Sequence, residues 1–172
     1  ISRKEWLMFV GRYFLRLSEN SKFKEDISHD NDRIGCIRQD DPEANEWLKD
    51  LMMELGWEDR HRAYLALRAC LHTLRDRISA EEAVDLGAQL PMIFRGFYYE
   101  GWKPSRSAQQ IRTRDEFLSR ISSYFTQEPD VNAEEISRAV YKLLFHRITE
   151  GEIGHIRSNL PADIEALLPR RV

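Results

Sequence analysis

Apolar residues recur at helical spacing along most of the chain, so the pattern predicts helices. Residues 2–18 place Trp6, Phe9, Val10, Tyr13, Phe14 and Leu17 on one broad face, with Arg3, Lys4, Arg12 and Arg16 on the other. A polar stretch at 19–41 has little periodicity and predicts a loop, a linker or a segment with a function of its own. From Pro42 the pattern becomes regular. Asp41 stands at an N-cap position, Pro42 at the first helical position and Gly56 just past the end of PEANEWLKDLMMEL. Ala63, Leu67, Cys70, Leu74 and Ile78 form the stripe of a helix over 59–78. Ser79 with Glu82 predicts a capping box that opens a new helix. Pro91 opens another through MIFRGFYYEGW, ended by Gly101 and Pro104, with a loop at 103–112.

The second half repeats this order. Thr113 with Glu116, Asn132 with Glu135, and Thr149 with Glu152 mark three helix starts, and Pro161 opens the last helix. The stripes are Phe117, Leu118, Ile121 and Phe125, then Ile136, Val140, Leu143, Leu144 and Ile148. No strand alternation or hairpin signal appears, so the fold class is all-α.

At an offset of seventy, residues 68–97 match 138–167 without gaps. Arg68/Arg138, Ala69/Ala139, Leu74/Leu144, Arg77/Arg147, Ile78/Ile148, Glu82/Glu152, Leu90/Leu160 and Pro91/Pro161 are identical. The register runs back to Trp47/Phe117, Leu48/Leu118, Leu51/Ile121 and Leu55/Phe125. Four helices with one apolar face each must bury those faces, and two tandem copies related by a pseudo-two-fold axis do so against each other. The expected organisation is a helical bundle: an amino-terminal helix and polar loop at 1–41, one helical repeat at 42–102 and a second at 103–172, in one compact domain. Arg77 and Arg147 fall in last helical turns, where a cation complements the dipole and the free carbonyls.

The runs LRDRISAEEAVDLGAQLP and RGFYYEGW, followed by a second copy ending in NLP, resemble the bacterial family known as domain of unknown function 2267. The resemblance covers about residues 43–168. It implies an all-helical bacterial cytoplasmic protein with an internal duplication, and it implies no activity.

Charge narrows the classes of partner. With 26 basic against 29 acidic residues and a net charge of −3, the chain lacks the positive surface that nucleic acid requires. The longest strongly apolar run, WLMFV at 6–10, is too short for a transmembrane segment, and the start shows no secretory signal pattern. Cys36 and Cys70 lack metal-site or redox spacing and read as reduced thiols of a cytoplasmic protein.

Chemistry-bearing motifs are sparse. No GxSxG, HExxH, phosphate loop or GxGxxG occurs, and the histidines never pair at i, i+4 on one helix. No catalytic residue, cofactor or metal is expected. DNDRIGCIRQDD at 30–41 resembles a degenerate calcium loop, but Ile34 stands where an oxygen ligand is required, so it reads as a solvated acidic loop.

FRGFYYEGW at 94–102 differs most from its counterpart, IEALLPRRV at 164–172. Phe94, Phe97, Tyr98, Tyr99 and Trp102 exceed one core-facing stripe, and Gly96 predicts close approach of another backbone. These aromatics either cover the junction between the copies or form a binding surface.

Two functional expectations follow. The first is a non-enzymatic interaction module that self-associates through the amino-terminal helix (Trp6, Phe9, Tyr13, Phe14) or the aromatic segment. The alternative is a small-ligand binder with a pocket between the repeats, lined by Tyr98, Tyr99, Trp102 and Arg95. A basic amphipathic helix can also lie on an anionic membrane, but the broad aromatic face at 6–17 fits burial against protein better.

Overall fold

Punctuation in the sequence sets where each helix starts. The computed structural model describes residues 41–104, 111–128 and 131–169. The expected amino-terminal helix, with Trp6, Phe9, Tyr13 and Phe14, lies outside the described residues, as do Cys36 and the calcium-loop-like segment apart from Asp41. Asp41 accepts a hydrogen bond from the Ala44 amide at 3.1 Å and opens α1, Pro42–Leu55. Gly56 ends it at φ 63°, a left-handed conformation that glycine adopts without steric cost. Asp59 accepts from the His61 and Arg62 amides and opens α2, Arg60–Arg77. Then follow α3, Ala80–Gln89, and the short α4, Met92–Tyr98. Gly101, at φ 64°, turns the chain away.

The next four helices are α5, Arg114–Ser122; α6, Ala133–Arg147; α7, Glu150–Ser158; and α8, Ala162–Glu165. The capping box expected at Thr113 forms in full: Thr113 Oγ1 accepts from the Glu116 amide, and Glu116 accepts from the Thr113 amide. Among the described residues the fold is all-helical, with eight helices and no strand. The described residues fall within one compact unit.

Helix limits keep the seventy-residue offset in the later elements. α2 and α6 end at Arg77 and Arg147, α3 and α7 begin at Ala80 and Glu150, and α4 and α8 begin at Met92 and Ala162. The helix pairing is reciprocal. α1 packs on α6 and α2 on α5, while α2 meets α6 and α3 meets α7. Exchange of the two halves turns the first contact into the second and leaves the last two unchanged.

The buried side chains lie at these junctions. Trp47, Leu48 and Leu51 from α1, Leu67, Leu71 and Leu74 from α2, and Phe117 and Ile121 from α5 are all excluded from water. Each such side chain contributes about 1.5–3 kcal/mol through apolar burial. Cys70 is a buried free thiol whose ionisation burial strongly disfavours.

Candidate functional site

The aromatic segment turns inward. Phe94, Tyr98 and Tyr99 are buried, and Phe97 nearly so. Tyr98 donates to the Ala83 carbonyl at 2.9 Å and Tyr99 to the Val84 carbonyl at 3.3 Å, pinning α4 to α3. Burial pushes the Tyr99 phenol up to about 12, so it stays a neutral donor. Phe94 meets Trp47 edge-on at 5.7 Å, and Phe97 meets Tyr64 at 5.2 Å. Of the four residues expected to bind a ligand or partner, Tyr98 and Tyr99 therefore have their rings and hydroxyls inside the fold. Trp102 is half-buried beside Tyr99, and Arg95 donates to the Ala88 and Leu90 carbonyls at the end of α3.

Close backbone approach was expected at Gly96, where the structure leaves open space. The close contact is at Gly87 instead, and it is made by side chains, those of Tyr98 and Tyr99, rather than by another backbone. An open cleft of about 540 Å³ lies elsewhere, between the end of α1 and the start of α6, with Glu54, Glu135, Arg138 and Lys142 on its walls.

Beneath α4 runs a polar network that joins the copies. His72 is buried, with Nε2 2.6 Å from the Phe97 carbonyl and Nδ1 3.0 Å from the hydroxyl of Tyr124, which follows α5. Burial first, and then the charge of Arg75, lowers the imidazole to about 3, so it is neutral. Arg75, only 4% exposed, pairs with Asp76 at 2.8 Å and donates to the Tyr98 and Glu100 carbonyls. Asp76 in turn lies 3.6 Å from Arg120 of α5. The network satisfies the end of α4 and ties it to the second copy.

A second cluster lies where α3 meets α7. Glu82 and Glu152 occupy equivalent positions, the third residue of their helices, where the capping-box reading has each carboxylate bond back to its own N-cap. Neither expected box closes. Ser79 Oγ accepts from the Glu82 amide at 3.2 Å, which is half of the box. Thr149 gives its amide to Gln89 Oε1 at 2.8 Å and its hydroxyl accepts from Gln89 Nε2 at 3.2 Å. A side chain of the first copy thus caps α7, and the carboxylate of Glu152 is left to face Glu82.

Ligand atoms of Glu82, Glu152 and His155 lie within 4.8 Å of one another, with His155 Nδ1 3.7 Å from Glu82 Oε2. Glu152 is 7% exposed, and its Oε1 and Glu82 Oε2 have no hydrogen-bond partner. Desolvation, then the charges of Glu82 and Asp85, pushes the Glu152 carboxyl up to about 7. His155 and Asp85 stand at equivalent positions of the two copies.

Sequence reasoning missed this cluster because both glutamates carry a capping signature. Two signals mark it: the identity of Glu82 with Glu152, and the Glu-x-x-His spacing at 152–155, which puts carboxylate and imidazole on one helical face. Arg147 also departs from expectation. It reaches Asp50 and Glu46 of α1 rather than carbonyls of its own helix, so it bridges the copies.

Among the described residues no helix is long and apolar enough to cross a membrane. No curated protein matches the chain. The model of a family of uncharacterised conserved proteins, DUF2267, matches residues 44–167, well over half of the sequence. With every described helix inside that span but for the first two residues of α1, the chain belongs to the DUF2267 family.

Proposed function

We propose that this protein is a non-enzymatic, cytoplasmic helical interaction module that associates with itself through the amphipathic segment 2–18. The observation that carries this reading is the disposition of apolar side chains. From Asp41 onward each helix stripe and the aromatic segment are directed into the bundle, and Met53 and Met92 are the large hydrophobic side chains left exposed among the described residues. Ion pairs such as Lys142–Glu54 and Arg62–Glu128 lie on the outside. The family match begins at Ala44, so Trp6, Phe9, Tyr13 and Phe14 lie ahead of the matched span. Four aromatic residues over 6–14, in a segment whose spacing predicts a helix with a basic opposite face, are what a self-complementary contact in a homo-oligomer uses.

Sedimentation velocity on the full chain tests this. Wild-type protein should sediment as an oligomer at micromolar concentration. The double variant Phe9→Asp, Phe14→Asp should sediment as a monomer with an unchanged circular-dichroism melt of the bundle. A wild-type monomer, or a variant that associates equally well, would refute the reading.

A further inference from the structure

We propose that Glu82, Glu152 and His155 form a zinc site on the seam where α3 meets α7. The three ligand atoms already lie within 4.8 Å of one another. Tetrahedral zinc with bonds of about 2.0–2.2 Å sets its ligands roughly 3.3 Å apart. His155 Nδ1 and Glu82 Oε2, at 3.7 Å, need to close by only a few tenths of an ångström, and the imidazole is exposed enough to make that movement. Its exposure also gives the ion an entry path.

A second observation points to a ligand. Glu152 is 93% buried, and its unpartnered Oε1 belongs to a carboxylate aimed into the cluster. The usual use of this carboxylate, at its own N-cap amide, is closed because Gln89 Oε1 holds that amide. Among the described residues the only basic side chain within ion-pair range of either glutamate is the imidazole of His155, and Asp85 adds further negative charge nearby. Desolvated carboxylate oxygens without donors are costly, and a divalent cation offsets that cost.

The donor set identifies the class of ion. Two carboxylates and one imidazole suit zinc, whereas calcium and magnesium favour sites built from oxygen alone. Three protein ligands leave one position for water. The backbone prepares the geometry, since Glu152 and His155 lie one turn apart on α7 and Glu82 faces them from the equivalent position on α3.

Calorimetric titration of chelator-treated full-length protein with zinc chloride tests the site. The wild type should bind one equivalent saturably, with a higher melting temperature in its presence. Glu152→Gln and His155→Ala should each weaken that binding by about tenfold or more. His146→Ala, at an exposed position outside the cluster, should bind as the wild type does. His155 is exposed, so its variant keeps the test decisive even where Glu152→Gln perturbs the fold. Absent saturable binding, or affinity in the Glu152 and His155 variants equal to that of the wild type, overturns the proposal.

Discussion

The Tyr99 ring occupies the space that a Gly87 side chain would fill: a Cβ built there would fall 2.6 Å from Tyr99 Cζ and 3.0 Å from Tyr98 Cε1. Seventy residues later the arrangement is exchanged. Arg157 stands at the Gly87 position and Pro169 at the Tyr99 position, and the guanidinium donates to the Pro169 carbonyl. In the first copy it is Arg75, from the preceding helix, that donates to the Tyr98 carbonyl. Phe145 takes the Arg75 position in the second copy and lies under Arg157, 5.2 Å from ring centre to guanidinium. Each copy keeps one arginine on the chain at or after its fourth helix, supplied from a different helix.

Gly87→Ala tests that packing. Alanine gains about 1 kcal/mol of intrinsic helix propensity over glycine, but forced overpacking against the tyrosines costs about 1–3 kcal/mol. The rigid ring leaves little room to relax, so the expected result is net destabilisation in urea unfolding. Adding Tyr99→Leu should recover part of the loss, and an additive double variant would contradict the contact.

Arg75→Met should cost about 2–4 kcal/mol, because it strands the Tyr98 and Glu100 carbonyls and the Asp76 carboxylate. Arg75→Lys should recover less than half of that, since one ammonium cannot span the same fork of acceptors. Thermal melts of both variants measure it, and equal stability of Met and Lys variants would argue against the geometry.

Gln89→Ala removes the reciprocal clamp on Thr149, which is made by the first copy and caps the second. The expected loss is about 1 kcal/mol, typical of an N-cap. Amide exchange should quicken at the start of α7 before it does in α2.

His72 and Glu152 give opposing pH dependences. His72 falls from 6.5 in the unfolded chain to about 3 in the fold, so its contribution is present above pH 6.5 and is lost as pH drops toward 3. Glu152 rises from 4.5 to about 7, so its contribution is full below pH 4.5 and is lost as pH climbs through 7. Between pH 4.5 and 6.5 the two slopes oppose, and together they should give a nearly flat profile. Glu152→Gln should expose a steep acid loss across that window. His72→Gln should show the reverse, stability rising as pH falls. Urea midpoints of chelator-treated protein at half-unit pH steps check both, and parallel profiles for the two variants would contradict the assignment.

The sequence announces helix starts well because caps are local. Asp41, Thr113, Asn132 and the prolines 42, 91 and 161 act within one turn of themselves. What a side chain does across the seam is set by its partner, which local reading does not see. Glu152 has the spacing of a capping residue, yet Gln89, sixty residues before Thr149, takes the amide it would have bonded. Gly96 and Gly87 are alike in sequence, but only Gly87 lies under Tyr99. The excess of aromatics at 94–102 is legible as unusual; that their hydroxyls reach the Ala83 and Val84 carbonyls follows only from the packing of α4 on α3.

Hydrogen exchange of the full chain over a dilution series bears most directly on its role as a self-associating module. Protection of the amides over 2–18 should grow with protein concentration, while that of 41–169 stays constant. A pattern independent of concentration, or protection that grows at 94–102 instead, would contradict the account.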